Sequence, residues 1–287
     1  MREHHWSGTA LMSTSNDIAW FRKLYDDILD YRRWQLYYDV LTPWIQKSAA
    51  ALKDADGFRH RHDAPKDDDR WMVQMWNLYA LSRVNDRLLL PFQATETRPW
   101  NRPAVDREQY AMFFEQIGMA PFEARTGQPF SSFHHEVVSV ENAADDAEPI
   151  TITACAWPGL WFGQLLFSRA GVNVRGGRQF ISKQIAENST LYFSFHRLIR
   201  PTQDLSMGCG SNSQWRTRIR RDYQCGYWLF YNVDGDNALW SPEEPDRDKL
   251  TRDQRLELCR NRCFLKSDVE DGDLFPYFDR WMEDAIQ

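Results

Sequence analysis

Apolar residues recur at spacings of three and four through the first part of the chain. Phe21, Leu24, Ile28, Tyr31, Trp34, Tyr38 and Leu41 form one such stripe, and Ser15 or Asn16 can cap its start, so a helix is predicted from about 16 to 41. Trp20, Tyr25, Leu29 and Leu36 widen the stripe, which predicts packing on more than one side. Pro43 breaks this helix or opens a second one through about 52. A polar link over 54–69 follows. Its acidic end, Asp67, Asp68 and Asp69, precedes a predicted helix over 70–90 that carries Arg83 and Arg87 toward its far end, the charge order that the helix dipole favours. Pro91, Pro99 and Pro103 mark a loop. Asp106 and Gln109 are spaced as a capping box for a short helix with Tyr110, Phe113, Phe114 and Ile117 on its apolar face, ended by Gly118 and Pro121.

Near Gly127 the period changes from helical to alternating. Residues 133–140 and 150–157 read as strands that could form a hairpin across an acidic turn. The apolar run 160–168 fits strand or helix, and helix is the weak preference. Gly171, Gly176 and Gly177 mark a loop, and 179–187 a short helix. Two aromatic strands are expected at 191–196 and 227–233, joined by a long polar loop. Asn237 to Trp240 can return as a short strand. Thr251 and Gln254 form a second capping box, opening a helix to about Cys263, and Phe275, Phe278, Trp281 and Met282 suggest a last helix over 274–285.

These elements predict an α+β fold: a helical N-terminal half packed on a mainly antiparallel β-sheet, closed by two C-terminal helices. The expected division is a disordered leader over 1–15 and a single α+β domain over 16–287, with a helical subregion at 16–126 and a sheet-containing one at 127–287. Met1 and Met12 both stand as starts.

Composition adds one unusual feature to this picture. The 287 residues include 13 Trp, 17 Phe and 11 Tyr, enough rings for a heavy core with some left for a partner surface. The net charge of −6 argues against a nucleic-acid binder that relies on a basic face. The opening residues MREHHWSGTALM lack the apolar stretch of a secretory signal, and no run is apolar enough to cross a membrane. A cytoplasmic protein with reduced thiols is expected, with no nucleic-acid or membrane partner.

Candidate chemistry is sparse. His60 and His62 with Asp63 lack the third and fourth ligands that zinc needs. His134 and His135 precede Glu136, but the second His of a metalloprotease helix is missing and consecutive strand residues face opposite ways. Cys259 and Cys263 share a helix face and could be joined by Cys209 or Cys225, though such cysteines more often fill a core. The sequence from Asn232 to Asn237 reads as a β-turn better than as a calcium loop. Gly208-Cys209-Gly210-Ser211 is neither a phosphate loop nor a nucleophile elbow. No metal or cofactor is therefore expected.

One stretch stands out. Gly210, Ser211, Asn212, Trp215, Arg216, Arg218, Arg220 and Arg221 lie in the polar connection between the two aromatic strands. Trp and Arg are enriched at interface hot spots, which makes these residues candidates for partner binding. The plainer alternative puts Arg216, Arg218 and Arg220 on one outward, solvated strand face. The functional expectation is a non-catalytic binding protein that neutralises a protein partner, in the manner of an immunity protein and its toxin. Two others stay open. One is an enzyme that holds an anionic small substrate through Arg216 to Arg221, with His196 or His135 as general base. The other is a structural or assembly component. The oligomeric state is left open.

Overall fold

The computed structural model describes residues 11–48, 58–60, 69–189, 215, 217–241, 250–269 and 278–285. The expected strand at 191–196, most of the polar loop after it, and the histidines and acids within 61–68 lie outside these residues.

Helix α1 (Leu11–Asp30) buries Phe21, Leu24, Tyr25 and Ile28, as the stripe predicts, but ends about ten residues sooner than the sequence suggests. Local hydrogen bonds end it. Arg32 donates to the carbonyls of Leu29 and Tyr31, and the Tyr31 hydroxyl accepts from the Gln35 N–H and donates to Asp39 at 2.6 Å. These bonds give the last carbonyls partners outside the helical ladder. The chain then makes a π-helical turn (Tyr37–Leu41) and enters α2 (Thr42–Ser48), where Pro43 sits in the first turn and its missing N–H is not needed.

Helix α3 (Asp69–Leu89) packs on α1 and ends in a 3-10 turn (Leu90–Gln93) that contains Pro91. Helix α4 (Arg107–Gln116) opens on the expected capping box: Asp106 accepts from the Gln109 N–H, and Gln109 accepts from the Asp106 N–H. A chain of rings joins these helices, from Phe21 to Trp44 to Phe113, Phe114 and Tyr110, with centroids 5.7, 5.9, 4.9 and 5.0 Å apart in turn. Aromatic pairs at such separations add to simple area burial.

The strands are β1 (Ala120–Phe122), β2 (His135–Asn142), β3 (Thr151–Trp157), β4 (Gly159–Phe162), β5 (Leu165–Ser168) and β6 (Ala170–Gly176). After a short helix α5 (Lys183–Asn188), capped by Ser182, come β7 (Tyr223–Cys225), β8 (Trp228–Tyr231) and β9 (Asn237–Ala238), then helix α6 (Arg252–Asn261) and β10 (Asp279–Asp284). Among the described residues they form a seven-stranded sheet in the order β1-β4-β5-β7-β8-β10-β9 and a three-stranded sheet in the order β2-β6-β3. Pairing is antiparallel except between β2 and β6 and between β9 and β10. The N-terminal helices share one core with Leu160, Phe162, Leu165, Phe167 and Tyr223 of the large sheet, so the α+β arrangement is as expected.

Four local expectations fail. First, β2 and β3 do not form a hairpin, because β6 lies between them. Of the glycines read as a loop, Gly171 and Gly176 are part of β6, and a Cβ on Gly171 would stand 2.2 Å from the ring of Trp157, so the glycine makes room for that indole. Second, 160–168 is a strand pair. Leu160, Phe162, Leu165, Leu166 and Phe167 are all buried, and a strand apolar on both faces loses its alternation. The turn between its halves needs Gly163, at φ +64°, where a Cβ would meet the backbone of Arg59 at 2.5 Å. Third, the capping box at Thr251 does open α6, but the second C-terminal helix is absent over 279–284, which is strand β10. Trp281 pairs with Tyr231 and Met282 with Phe230, so a partner strand decides an element whose own spacing suited either period. Fourth, residues 217–221 form no strand, and the outward face of alternating arginines does not exist there.

Candidate functional site

The residues singled out in the polar connection separate into two groups. Gly210, Ser211, Asn212 and Arg216 lie outside the described residues. Arg218 is exposed. Trp215, Arg220 and Arg221 are placed in the interior instead of on an accessible loop. Trp215 is 4% exposed, with the Tyr25 ring edge-on at 5.4 Å and the Arg83 guanidinium over its face at 4.2 Å. It belongs to the helical core, where a cation over an indole compensates in part for the burial of the charge.

Arg220 and Arg221 leave the surface because adjoining carboxylates draw them in. Asp222 is fully buried and takes Arg220 Nε at 2.7 Å, Arg262 Nη2 at 2.9 Å and the Asn232 N–H at 2.7 Å, with Arg169 Nη2 at 3.6 Å. Burial alone would raise the Asp222 pKa. The three guanidinium groups outweigh it and hold the carboxyl far below the usual carboxylate range. Arg221 makes a bidentate pair with Asp234, both bonds at 2.7 Å. Arg255 pairs in the same way with buried Asp279 and so fixes α6 to β10. Arg220 and Arg169 also donate to the carbonyls of Cys259 and Arg260, at 2.5 and 2.7 Å. These arginines join the C-terminal end of α6 to the sheet, and breaking one partner of such a pair costs about 3–5 kcal/mol.

The two neighbouring histidines are also structural in their bonding. His135 is buried, its Nδ1 accepts from the Ser131 N–H at 2.9 Å, and its Nε2 stands 3.0 Å from the Gln128 amide. Nδ1 is an acceptor, so the neutral ring carries its proton on Nε2, and a hydrogen bond there requires the Gln128 amide, whose Nε2 is placed at this contact, to be turned so that its oxygen accepts. Burial first, then the neighbouring His134 and Arg169, push the His135 pKa down to about 4. His134 is bonded to Ser131 Oγ at 2.9 Å and Gln224 at 3.1 Å, and burial lowers its pKa as well. His135, one of the two candidate general bases of the enzyme alternative, thus has both ring nitrogens engaged, and the other, His196, lies outside the described residues. Cys259 is buried and its thiol is pushed up to about 12 by desolvation, which suppresses the thiolate. Among the described residues, no group of three or more His, Cys, Asp or Glu side chains could hold a metal ion. No helix among them is long and apolar enough to cross a membrane.

The accessible aromatic surface lies elsewhere, on β8 and β10. Strand alternation turns Leu229 and Tyr231 into one core and leaves Trp228 and Phe230 on the opposite face. Tyr223 and Phe230 on that face pack against the helical core, and Trp228 and Met282 are left 48% and 36% exposed. Met282 pairs with Phe230 and Asp284 with Trp228, so Met282 and Trp228 are diagonal neighbours on one face. Arg280 precedes Met282 by two residues on the same face, and its guanidinium stands 5.5 Å from the ring of Trp240. Tyr227, 68% exposed, sits at the other end in the turn after Gly226, which has φ +60°. The result is a stripe of Arg280, Met282 and Trp228, with Tyr227 in the turn at one end and Trp240 at the other, where the Trp240 ring also stands 6.4 Å from that of Trp281. Its strands are hydrogen-bonded: β8 lies between β7 and β10, and β10 lies between β8 and β9.

Sequence reasoning identified the strand under Trp228 but missed the stripe. The one available signal was that 228–231 is apolar at every position, so that both faces need cover. Trp34, 79% exposed in the turn after α1, is a second accessible ring that the helical stripe had assigned to the core. Compared with protein-family models, with curated proteins and with solved structures, the chain has no match.

Proposed function

We propose that this protein acts by binding a protein partner, without chemistry of its own, through the stripe formed by Trp240, Arg280, Met282, Trp228 and Tyr227. Neutralisation of a toxin-type partner is the specific form of this reading. The observation that carries it is the pairing of residue type with rigidity. Trp, Tyr, Met and Arg are the types enriched at interface cores, and here Trp228 and Met282 stand exposed on paired strands, with exposed Tyr227 and Trp240 in the turns at the ends and half-buried Arg280 between. A sheet already fixed by its ladder loses little backbone freedom when a partner docks, so more of the contact energy is left as affinity. Of the arginines expected to form the contact, Arg220 and Arg221 are engaged inside, which favours the aromatic stripe as the contact surface.

The test is photo-crosslinking in the cells that make the protein, with benzoylphenylalanine in place of Tyr227, of Trp240, or of the distant exposed Arg178. The expected result is one protein adduct shared by positions 227 and 240 and absent at 178. With that partner purified, Trp228→Ala should weaken binding by about 30-fold, the equivalent of the ~2 kcal/mol hot-spot threshold. No adduct at 227 and 240, or an unchanged affinity, rejects the stripe.

A further inference from the structure

Beside the buried carboxylate Asp222 lies a small cavity of about 30 Å³, lined by residues of α3, β2 and β5 together with Arg169, Arg220 and Arg262. The guanidinium of Arg169 is almost wholly buried. Its Nη2 is engaged, but among the described residues no acceptor reaches its Nε or its Nη1, and the buried Nε of Arg262 has none either. Arg169 and Arg262 line the same cavity. Buried N–H groups without acceptors are rare in folded proteins, because each one costs the water it has lost. Burial, then the nearby charge of Arg262, lowers the pKa of Arg169 to about 9.

We infer that this cavity is a binding site for one compact monoanion, of the size of a halide ion or a carboxylate group, held by the free N–H groups of Arg169 and Arg262. Size is compatible with a small ligand: the cavity's about 30 Å³ exceeds the ~10–15 Å³ that a single water needs on the same measure. Charge sets the limit. Asp86 and Glu136 also line the cavity, and with Asp222 they balance the three arginines one for one. The ligand is therefore held by directed N–H bonds in a poorly solvated pocket and not by a net positive field. A phosphate dianion would meet both carboxylates with twice the charge of a monoanion. Water is the competing occupant, and an anion differs from it in accepting from several guanidinium N–H groups while presenting no donor of its own to them. Because the walls come from α3, the β5–β6 junction and the end of α6, occupation ties the helical layer to the sheet and stabilises the fold by linkage.

The test uses the whole chain. Thermal unfolding is followed at constant ionic strength while chloride, bromide, formate or phosphate replaces a bulky morpholine sulfonate. Chloride, bromide or formate at 1–200 mM (about two decades) should raise Tm by several degrees in the manner of ligand linkage, and phosphate should not. A response to halide identifies a free ion as sufficient, and a response to formate alone identifies a carboxylate group of a larger ligand. Arg262→Lys, at a partly exposed position, should weaken the apparent affinity at least tenfold. Because Arg169→Lys endangers folding, crystals of the unaltered protein grown with bromide supply the second measurement, and an anomalous peak should lie in contact with Arg169 and Arg262. A Tm indifferent to the small anions, or raised by phosphate alone, overturns the inference. So does a bromide peak in the crystal with no effect in solution, which marks an adventitious ion only.

Discussion

Where the helices meet the large sheet, arginines occupy the interior. Along β8 and β10, tryptophan, tyrosine and methionine occupy the surface. Arg169, Arg220 and Arg221 are almost wholly buried, whereas Tyr227 and Trp228 are largely open to solvent. Both regions reverse the usual distribution of residue types. The interior case has a sufficient physical cause: Asp222 and Asp234 take the charges, carbonyls take further N–H groups, and the network joins α6 to the sheet. No comparable cause within the described residues holds the rings outside. A charge that is inside is accounted for by its partners, and the rings that are outside are the ground on which a docking partner is proposed.

This comparison breaks most readily at Trp215 and Asp222. Trp215→Ala removes a core indole wedged between Tyr25 and Arg83 and should lower folding stability by about 3–5 kcal/mol in urea unfolding. Asp222→Asn keeps the shape but leaves the arginines around it without their counter-charge, and should cost a similar ~3–5 kcal/mol. A loss below about 1 kcal/mol would return Trp215, or in the second case Arg220, to the list of surface candidates.

The pH dependence sharpens the same point at somewhat smaller size. His135 has a folded pKa of about 4 against an unfolded value of ~6.5, so the unfolded chain binds more protons in that interval. Stability is therefore full above pH ~6.5 and falls as pH drops toward 4, by at most ~3 kcal/mol for this group. Asp222 is depressed in the folded state, so its contribution is full above the unfolded value of ~3.9 and is lost as the pH falls further. Urea unfolding across this range should show both segments, and His135→Gln should flatten the upper one. A flat profile from pH 7 to 4 in the unaltered protein would contradict the buried neutral ring.

The smallest expected effect concerns the stripe. Trp228→Ala and Met282→Ala remove partly exposed side chains and should each change folding stability by less than about 1 kcal/mol.

The helical half was legible in the sequence because its signals are local. The Asp106–Gln109 and Thr251–Gln254 boxes act within one turn, and the stripe of α1 is read from its own residues. The early end of α1 was not legible, since the bonds from Tyr31 to Gln35 and Asp39 compete with a helix that the apolar spacing alone would continue. In the sheet half, the deciding contacts are distant in sequence. Gly171 reads as a loop until Trp157 is laid against it, and 279–284 reads as helix until Tyr231 and Phe230 pair with it. The arginines were misread for the same reason. Alternation says which residues share a face of a strand, but 217–221 is not a strand, and Arg262 and Arg169 reach Asp222 from far along the chain.

The most direct test of the account is one paired measurement on Trp215→Ala and Trp228→Ala. For each, folding stability is measured by urea unfolding, and affinity per folded molecule is measured against the partner captured at Tyr227. A crossed result is predicted. Trp215→Ala should lose about 3–5 kcal/mol of stability and keep its affinity, whereas Trp228→Ala should keep its stability and bind about 30-fold more weakly. The contradicting result is the reverse: affinity lost at Trp215 with the fold intact, and no change in affinity at Trp228.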